Sequence, residues 1–527
     1  MRIMFKNEVA EFIYKRTYSR WLEDENRRED WPETIERLIT FLISKRPDIP
    51  DKTITKLRKY MMEFAVMPSM RFLWAAGPAA DFDNTCIYNC AFAKINSIEA
   101  FSECLYILMC GTGFGFSVEQ EEVMKLPEVP EIKSGQALPK ITIEDSKAGW
   151  ADSVKTLMGS LFDGQNIYFD YSEIRPEGAR LHTMGGRASG PNPLIKLHDF
   201  IREVMHNAQG RKLTPLEAHD ICNQIAEIVV VGGVRRSSQI SLSDLDDKNM
   251  RHAKDWPYPI KRAMANNSAI YKDKPSAAQF LKEWGSLALS GTGERGIFNL
   301  NAAQSKAPSR RYAPLIQGTN PCGEIMLRDM QFCNLSEVVV REDDDLDSLL
   351  DKVETAAWLG VIQSTFTNFP YLRKEWKKNC DVERLLGVSL TGQMDNPSLM
   401  NSEALKALKS RVLRISRKAS KVLDVNVSTA TTCVKPSGTV SQLVDSASGV
   451  HPRYSEYYIR SYRIAARDPL FALMKDSKIP HHPEVGQTKK DASTWVVEFP
   501  VKSPEGCITR KDVTALEQLR HYKNLQH

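Results

Sequence analysis

Apolar positions recur at helical spacing near the start of the chain. Ile35, Leu38, Ile39 and Leu42 fall on one face, and Pro32 stands where a first helical turn accepts a proline. Residues 1–75 are therefore expected to form an N-terminal helical region. Asn96 begins an N-x-x-E cap signal ahead of an apolar run through Leu105, Leu108 and Met109, and Gly111, Gly113 and Gly115 are expected to end that helix in a glycine-rich turn. Thr214-Pro215-Leu216-Glu217 sets a cap hydroxyl, a first-turn proline and a carboxylate at the third helical position, which predicts a helix from Pro215 to about Val231. Another helix is predicted from Ser402 to about Leu423. Period-two alternation marks strands at Ile240 and Leu242, and at Trp495, Val497, Phe499 and Val501. Helices and strands interleave over most of the chain, so the fold class is α/β. The stretches near 120–140 and 303–314 read as loops, and no internal repeat is visible.

Composition narrows the function classes. A chain of 527 residues is too long for one ordinary domain but can hold a large barrel. Its net charge of +5 is small for that length, and basic clusters such as Lys374 to Lys378 around Trp376 are short and interrupted, which fits a solvated helix face better than a nucleic-acid stripe. The longest apolar stretch, Ile228 to Val231, stops at Gly232-Gly233, far short of a membrane span, and the residues from Met1 to Glu8 form no signal-peptide core. Ten cysteines are too sparse and unevenly spaced for a secreted disulfide framework. A protein of the reducing cytoplasm, with no nucleic-acid or membrane partner, is expected.

Candidate chemistry centres on one cysteine. Asn320-Pro321-Cys322-Gly323-Glu324 sets a thiol beside a carboxylate and a carboxamide, with proline and glycine imposing a tight loop whose tip can enter a pocket. Cys333 follows, and Asn89-Cys90 lies far upstream; spacing alone does not establish whether folding pairs them. Cys104, Cys110, Cys222, Cys380, Cys433 and Cys507 read as core packing. Cys86-x-x-x-Cys90 lacks a second ligand pair for zinc, and no histidine stands in a motif for cysteine hydrolase chemistry. Pro436-Ser437-Gly438-Thr439 offers successive N–H groups and two hydroxyls to an anion, although an ordinary helix cap explains those residues about as well; its lysine precedes the glycine, so it is no Walker loop. Gly111-x-Gly113-x-Gly115 is no dinucleotide fingerprint.

Gly318 to Ile325, with Cys333 at its offset, resembles the catalytic loop of ribonucleotide reductases, in particular the adenosylcobalamin-dependent class II enzymes. Further blocks resemble the same family in the same order: Thr17 to Trp21, Met67 to Arg71, Asn89 to Phe92, Gly113 to Ser117, Asp145 to Trp150, Gly185 to Pro191, Val234 to Ser237, and Lys435 to Val440. The resemblance implies a ten-stranded α/β barrel over residues 76–527, with a finger loop around 318–335.

It also implies roles. Cys322 would carry a thiyl radical that takes the ribose 3′-hydrogen, Glu324 would be the base on the 3′-hydroxyl, and Asn320 would hold the ribose hydroxyls. Cys90 and Cys333 would supply two electrons by closing to a disulfide, re-reduced by a thioredoxin-like dithiol. Ser69, Asn89, Gly113 and Pro436, Ser437, Gly438, Thr439 and Val440 would contact the ribonucleotide substrate. No metal-ligating side chains are implied; the radical source would be adenosylcobalamin.

A class I large subunit fed by a separate radical subunit, an inactive nucleotide-binding fragment and a nucleic-acid module are the alternatives. A specificity effector nucleotide is expected near Asp145 to Trp150, and overall on/off control by dATP is not. The barrel is expected to be incomplete at its C-terminal end, with a separate C-terminal fragment as the partner that completes it.

Overall fold

The computed structural model describes residues 5–132, 140–179, 187–231, 238–466, 468–490 and 492–526. Gly185 and Gly186 of one family block, and the whole Val234 to Ser237 block, lie outside the described residues.

The first long helix, Trp31–Lys45, starts where the pattern places it. Asp30 accepts from the Glu33 N–H while the Glu33 side chain returns to the Asp30 N–H, and Pro32 occupies the first turn. Ile35, Leu38, Ile39 and Leu42 are fully buried. The helices Pro215–Val231 and Ser402–Val422 also form as expected, the former opened by reciprocal Thr214 and Glu217 hydrogen bonds. Helix Ile98–Met109 is preceded by Ser97; Asn96 instead donates to Glu122 at 3.1 Å.

The glycine-rich segment after this helix departs from expectation. Only Gly111 turns, at φ +77°, whereas Gly113–Ser117 is a buried strand. Tertiary contact overrides the turn propensity of those glycines, for reasons that appear at the site below.

Two sheets carry the core. In the larger, strands Gly296–Asn299, Ala265–Tyr271, Gln239–Asp244, Gly113–Ser117 and Cys90–Lys94 lie side by side, all parallel, and Gln331–Phe332 adds antiparallel to Cys90–Lys94. In the smaller, Leu335–Val339 lies between Gly387–Thr391, parallel, and Val66–Pro68, antiparallel. Thr432 extends this sheet by a parallel bridge to Val388. The run 331–339 thus belongs to both sheets and crosses between them at Cys333-Asn334.

Helices cover the sheets, as parallel strands buried on both faces require. Ile98–Met109 and Leu346–Ser364 are almost wholly buried. A hairpin of Tyr457–Ala465 and Thr494–Lys502 packs on the N-terminal helix Glu8–Ile13, with the Phe12 ring 5.1 Å from Phe499 and 5.3 Å from Tyr462. Among the described residues no helix is long and apolar enough to cross a membrane.

Candidate active site

Between the sheets a short hairpin, Gly318–Thr319 with Met326–Leu327, carries Pro321, Cys322, Gly323 and Glu324 at its tip. The turn closes through Gly323 N–H to Asn320 C=O at 2.9 Å, with Gly323 at φ +82°. Asn320 is fully buried and ties the tip together: its Oδ1 accepts from the Ile325 N–H at 3.0 Å, and its Nδ2 donates to Glu324 Oε2 at 2.8 Å.

The hairpin reaches this position because two glycines leave room for it. A Cβ on Gly115 would stand 2.3 Å from the Thr319 carbonyl oxygen, and one on Gly318 would stand 2.1 Å from the Phe92 ring. We expect Gly115→Ala to displace the hairpin, cost about 1–3 kcal/mol of stability by overpacking, and depress turnover far more than an alanine at the open Gly159. Full turnover in Gly115→Ala would show that the close approach is dispensable.

The tip delivers Cys322 to two other thiols. Cys90 opens its strand, its carbonyl accepts from the Cys333 N–H at 2.9 Å, and its thiol has those of Cys322 and Cys333 as neighbours. Cys90 and Cys333 are buried, whereas Cys322 keeps an exposed face. All ten cysteines are free thiols. Contact with Cys322 favours the Cys90 thiolate, but contact with Cys333 and burial outweigh it and hold Cys90 well above its ordinary range. Contact with Cys90, then burial, push Cys322 up as well. At neutral pH both sulfurs therefore carry their hydrogens. That suits hydrogen-atom donation and dithiol reduction and is the opposite of the acidified thiol of a cysteine nucleophile. Burial raises the Glu324 carboxyl, partly offset by the Asn320 amide and by the Lys435 ammonium.

Of the predicted substrate-contacting residues, Gly113 and Asn89 adjoin this centre, and Ser69 lies close to the segment from Pro436 to Val440. Gly113 faces it directly: a Cβ there would lie 3.3 Å from both Cys90 Sγ and Pro321. The Asn89 carbonyl accepts from the Gly113 N–H at 2.8 Å, and its Oδ1 is buried without a hydrogen-bond partner. Ser69 caps helix Met70–Ala75. Next to it, Met70 Sδ accepts from Thr439 Oγ1 at 3.7 Å, which also receives the Tyr18 hydroxyl at 3.3 Å. Pro436, Ser437 and Gly438 lead into a short helix from Thr439 and Val440, and Ser437 Oγ is buried with no partner.

Three features escaped the sequence. Cys433, read as core packing, is only half-buried and packs against the apolar cluster of Cys90, Ile325, Cys333 and Leu335. Its nearness to the phosphate-like block was the available signal. Cys507 is likewise half-buried rather than core. The third is a buried ion pair, Lys435 with Glu337, that no local pattern announces. Among the described residues no group of histidines, cysteines and carboxylates could hold a metal ion.

Comparison with known proteins agrees with this architecture. A ribonucleotide reductase alpha-domain family matches residues 2–78, and the insertion domain of B12-dependent ribonucleotide reductases matches residues 129–205, a unit not recognised from sequence pattern. Adenosylcobalamin-dependent ribonucleoside-triphosphate reductases of Levilactobacillus brevis and Lactobacillus gasseri are each 29% identical to this chain; the matches cover 94% of it and 79% and 80% of those proteins. The alpha subunit of a class Id ribonucleotide reductase from Actinobacillus ureae shares the fold at a TM-score of 0.54 and 14% identity. A crystal structure of a B12-dependent (class II) ribonucleotide reductase superposes on 98% of this chain and 85% of its own, with TM-score 0.81 and 26% identity. With a hairpin that brings one exposed thiol onto a buried pair, this chain is similar along nearly its whole length to the B12-dependent (class II) ribonucleotide reductases.

Proposed function

We propose that the chain reduces ribonucleoside triphosphates to 2′-deoxyribonucleotides with adenosylcobalamin as cofactor, and that Cys322 is the residue that attacks the ribose. The observation that carries this reading is the meeting of three thiols, Cys90, Cys322 and Cys333, with Cys322 exposed on a hairpin tip beside a carboxylate. The triphosphate assignment follows the names of the similar reductases.

The exposed face of Cys322 fits a radical source that approaches from outside the thiol cluster. Bound there, adenosylcobalamin would supply the one-electron oxidation that removes the Cys322 hydrogen atom. Cys322 then takes the 3′-hydrogen of the ribose. Glu324 accepts the 3′-hydroxyl proton, a role that its raised carboxyl and the Asn320 hydrogen bond support, and Asn320 orients the hydroxyls. The 2′-hydroxyl leaves as water with a proton from the Cys90–Cys333 pair. The second hydrogen of the dithiol goes to C2′ as an atom, its remaining electron reaches the 3′-carbonyl together with the proton that Glu324 returns, the pair closes to a disulfide, and Cys322 recovers its radical by returning a hydrogen atom to C3′. The unpartnered Ser437 Oγ and Asn89 Oδ1 are polar atoms that a bound nucleotide would complete.

A thioredoxin-like dithiol would restore the pair after each turnover. An effector nucleotide near Asp145 to Trp150 falls within the matched insertion domain, where Ser146 caps helix Lys147–Phe162 and Asp145 pairs with Arg175 at 2.6 Å.

Two measurements test the reading. Stopped-flow spectroscopy of the protein with adenosylcobalamin, a nucleoside triphosphate and a dithiol should show rapid cleavage of the cofactor's cobalt–carbon bond; no optical change under turnover conditions would defeat the cofactor assignment. Thiol mapping after a single turnover without reductant should find Cys90 and Cys333 joined and Cys433 free. Intact thiols at both positions after product has formed would reject the pairing.

A further inference from the structure

We propose that Lys435, held by Glu337, is a positioning residue for the reaction, one that keeps the Glu324 carboxylate ionised until it accepts the substrate's proton. The inference rests on the reading of Glu324 as the base.

Strand parity places the pair on the side of the small sheet that packs against Ile325 of the hairpin. The segment around Thr432 runs alongside Gly387–Thr391, with the Cys433 N–H donating to the Val388 carbonyl at 3.1 Å. Residues two apart on an extended segment face the same way. Cys433 faces the cluster of Ile325, Leu335, Cys90 and Cys333, its Sγ 3.1 Å from where a Cβ on Gly387 would stand, so Lys435 is directed to the same side. On the neighbouring strand Leu335 faces that cluster and Glu337 follows two residues later. The Lys435 ammonium donates to Glu337 Oε2, closing the pair.

This pair is asymmetric. Glu337 is 2% exposed, and its Oε1 has no partner. A carboxylate so buried needs a cation, and Lys435 supplies it. Burial by itself would discharge Lys435, but Glu337 outweighs burial and keeps the ammonium charged. Around Lys435 stand Glu337 from the small sheet, Cys322 and Glu324 from the hairpin, Cys433 from its own segment, and Tyr18 from the N-terminal region. Among the described groups acting on Glu324, Lys435 is the cation; it opposes the burial that would otherwise leave the base protonated. A triphosphate bound beside Pro436 to Val440 would raise the Glu324 carboxyl further, so the ammonium matters most in the loaded site.

The test needs neither cofactor nor turnover. In the cofactor-free protein the carboxyl infrared band that disappears in Glu324→Gln reports the Glu324 titration. In Lys435→Met that titration should move to higher pH by about one pH unit, and in Lys435→Arg it should stay near the parent. Lys435→Met strands Glu337 without its cation, so the double variant Lys435→Met/Glu337→Gln, which removes both charges, serves as the folded check and should show the same upward move. With adenosylcobalamin and substrate, the acid limb of the turnover profile should follow. An unmoved Glu324 titration in the folded double variant would overturn the role of Lys435. A parent chain that reduces no nucleotide would instead overturn the assignment of Glu324 as base, whatever the titration shows.

Discussion

Cys322→Ser is expected to abolish deoxynucleotide formation while leaving fold and nucleotide binding intact. The two halves of that expectation have separate physical causes. A serine hydroxyl holds its hydrogen too tightly to exchange it with a ribose carbon, so the hydrogen-atom step has no carrier. The residue sits at an exposed hairpin tip whose turn is held by Gly323 N–H to Asn320 C=O and by the Asn320 side chain, none of which involves the thiol. Substitutions at such positions usually alter stability by no more than about 0.5 kcal/mol. Product formation should fall to background, with triphosphate binding by equilibrium dialysis unchanged. Cys507→Ser, at a half-buried thiol outside the cluster, should keep its activity. Turnover in Cys322→Ser would remove the centre of the proposed mechanism.

What could be read in advance divides by the range of the interaction. The hairpin tip was legible because Pro321 and Gly323 restrict backbone geometry within a few residues, and the starts of helices Trp31–Lys45 and Pro215–Val231 because Asp30 with Glu33 and Thr214 with Glu217 form closed local rings. The meeting of Cys90 with Cys333 came from family resemblance. No spacing rule predicts it, since it depends on Gln331–Phe332 pairing with Cys90–Lys94. Gly113–Ser117 was misread as a turn because glycine's local preference points that way. The reason for glycine there lies across space, in the carbonyl of Thr319. Lys435 and Glu337 are 98 residues apart and meet only when the small sheet forms. Nothing near either residue betrays a buried charge.

The same long-range logic places the other large effect at Glu383, where we expect Glu383→Gln to destabilise the protein by about 3–5 kcal/mol and to lower turnover without touching the thiols. Glu383 is fully buried at the end of helix Lys374–Glu383 and binds residues on both sides of the Cys322 hairpin. Arg311, ahead of the hairpin, reaches its Oε2 at 2.7 Å; Arg328, behind it, reaches Oε1 at 2.9 Å; and Gln331 donates to Oε2 at 2.9 Å. Replacing the carboxylate by an amide of the same shape leaves two mostly buried guanidiniums facing no charge, a costly arrangement. The hairpin tip then loses the anchor that sets its height over Cys90. The pH dependence identifies the cause. Burial alone would raise the Glu383 carboxyl, but Arg311, Gln331 and Arg328 outweigh it and hold its folded pKa below the ordinary 4.5. A depressed carboxyl contributes its full stability above that ordinary value and loses it as pH falls through the folded one. The gap in urea midpoint between parent and Glu383→Gln should therefore be widest from neutral pH down to about pH 5 and close progressively at more acidic pH. Glu383→Asp, which keeps the charge but shortens the reach, should fall between the two at neutral pH. A gap that stays constant through the acid range would show that the substitution acts through packing and not through the ion pairs.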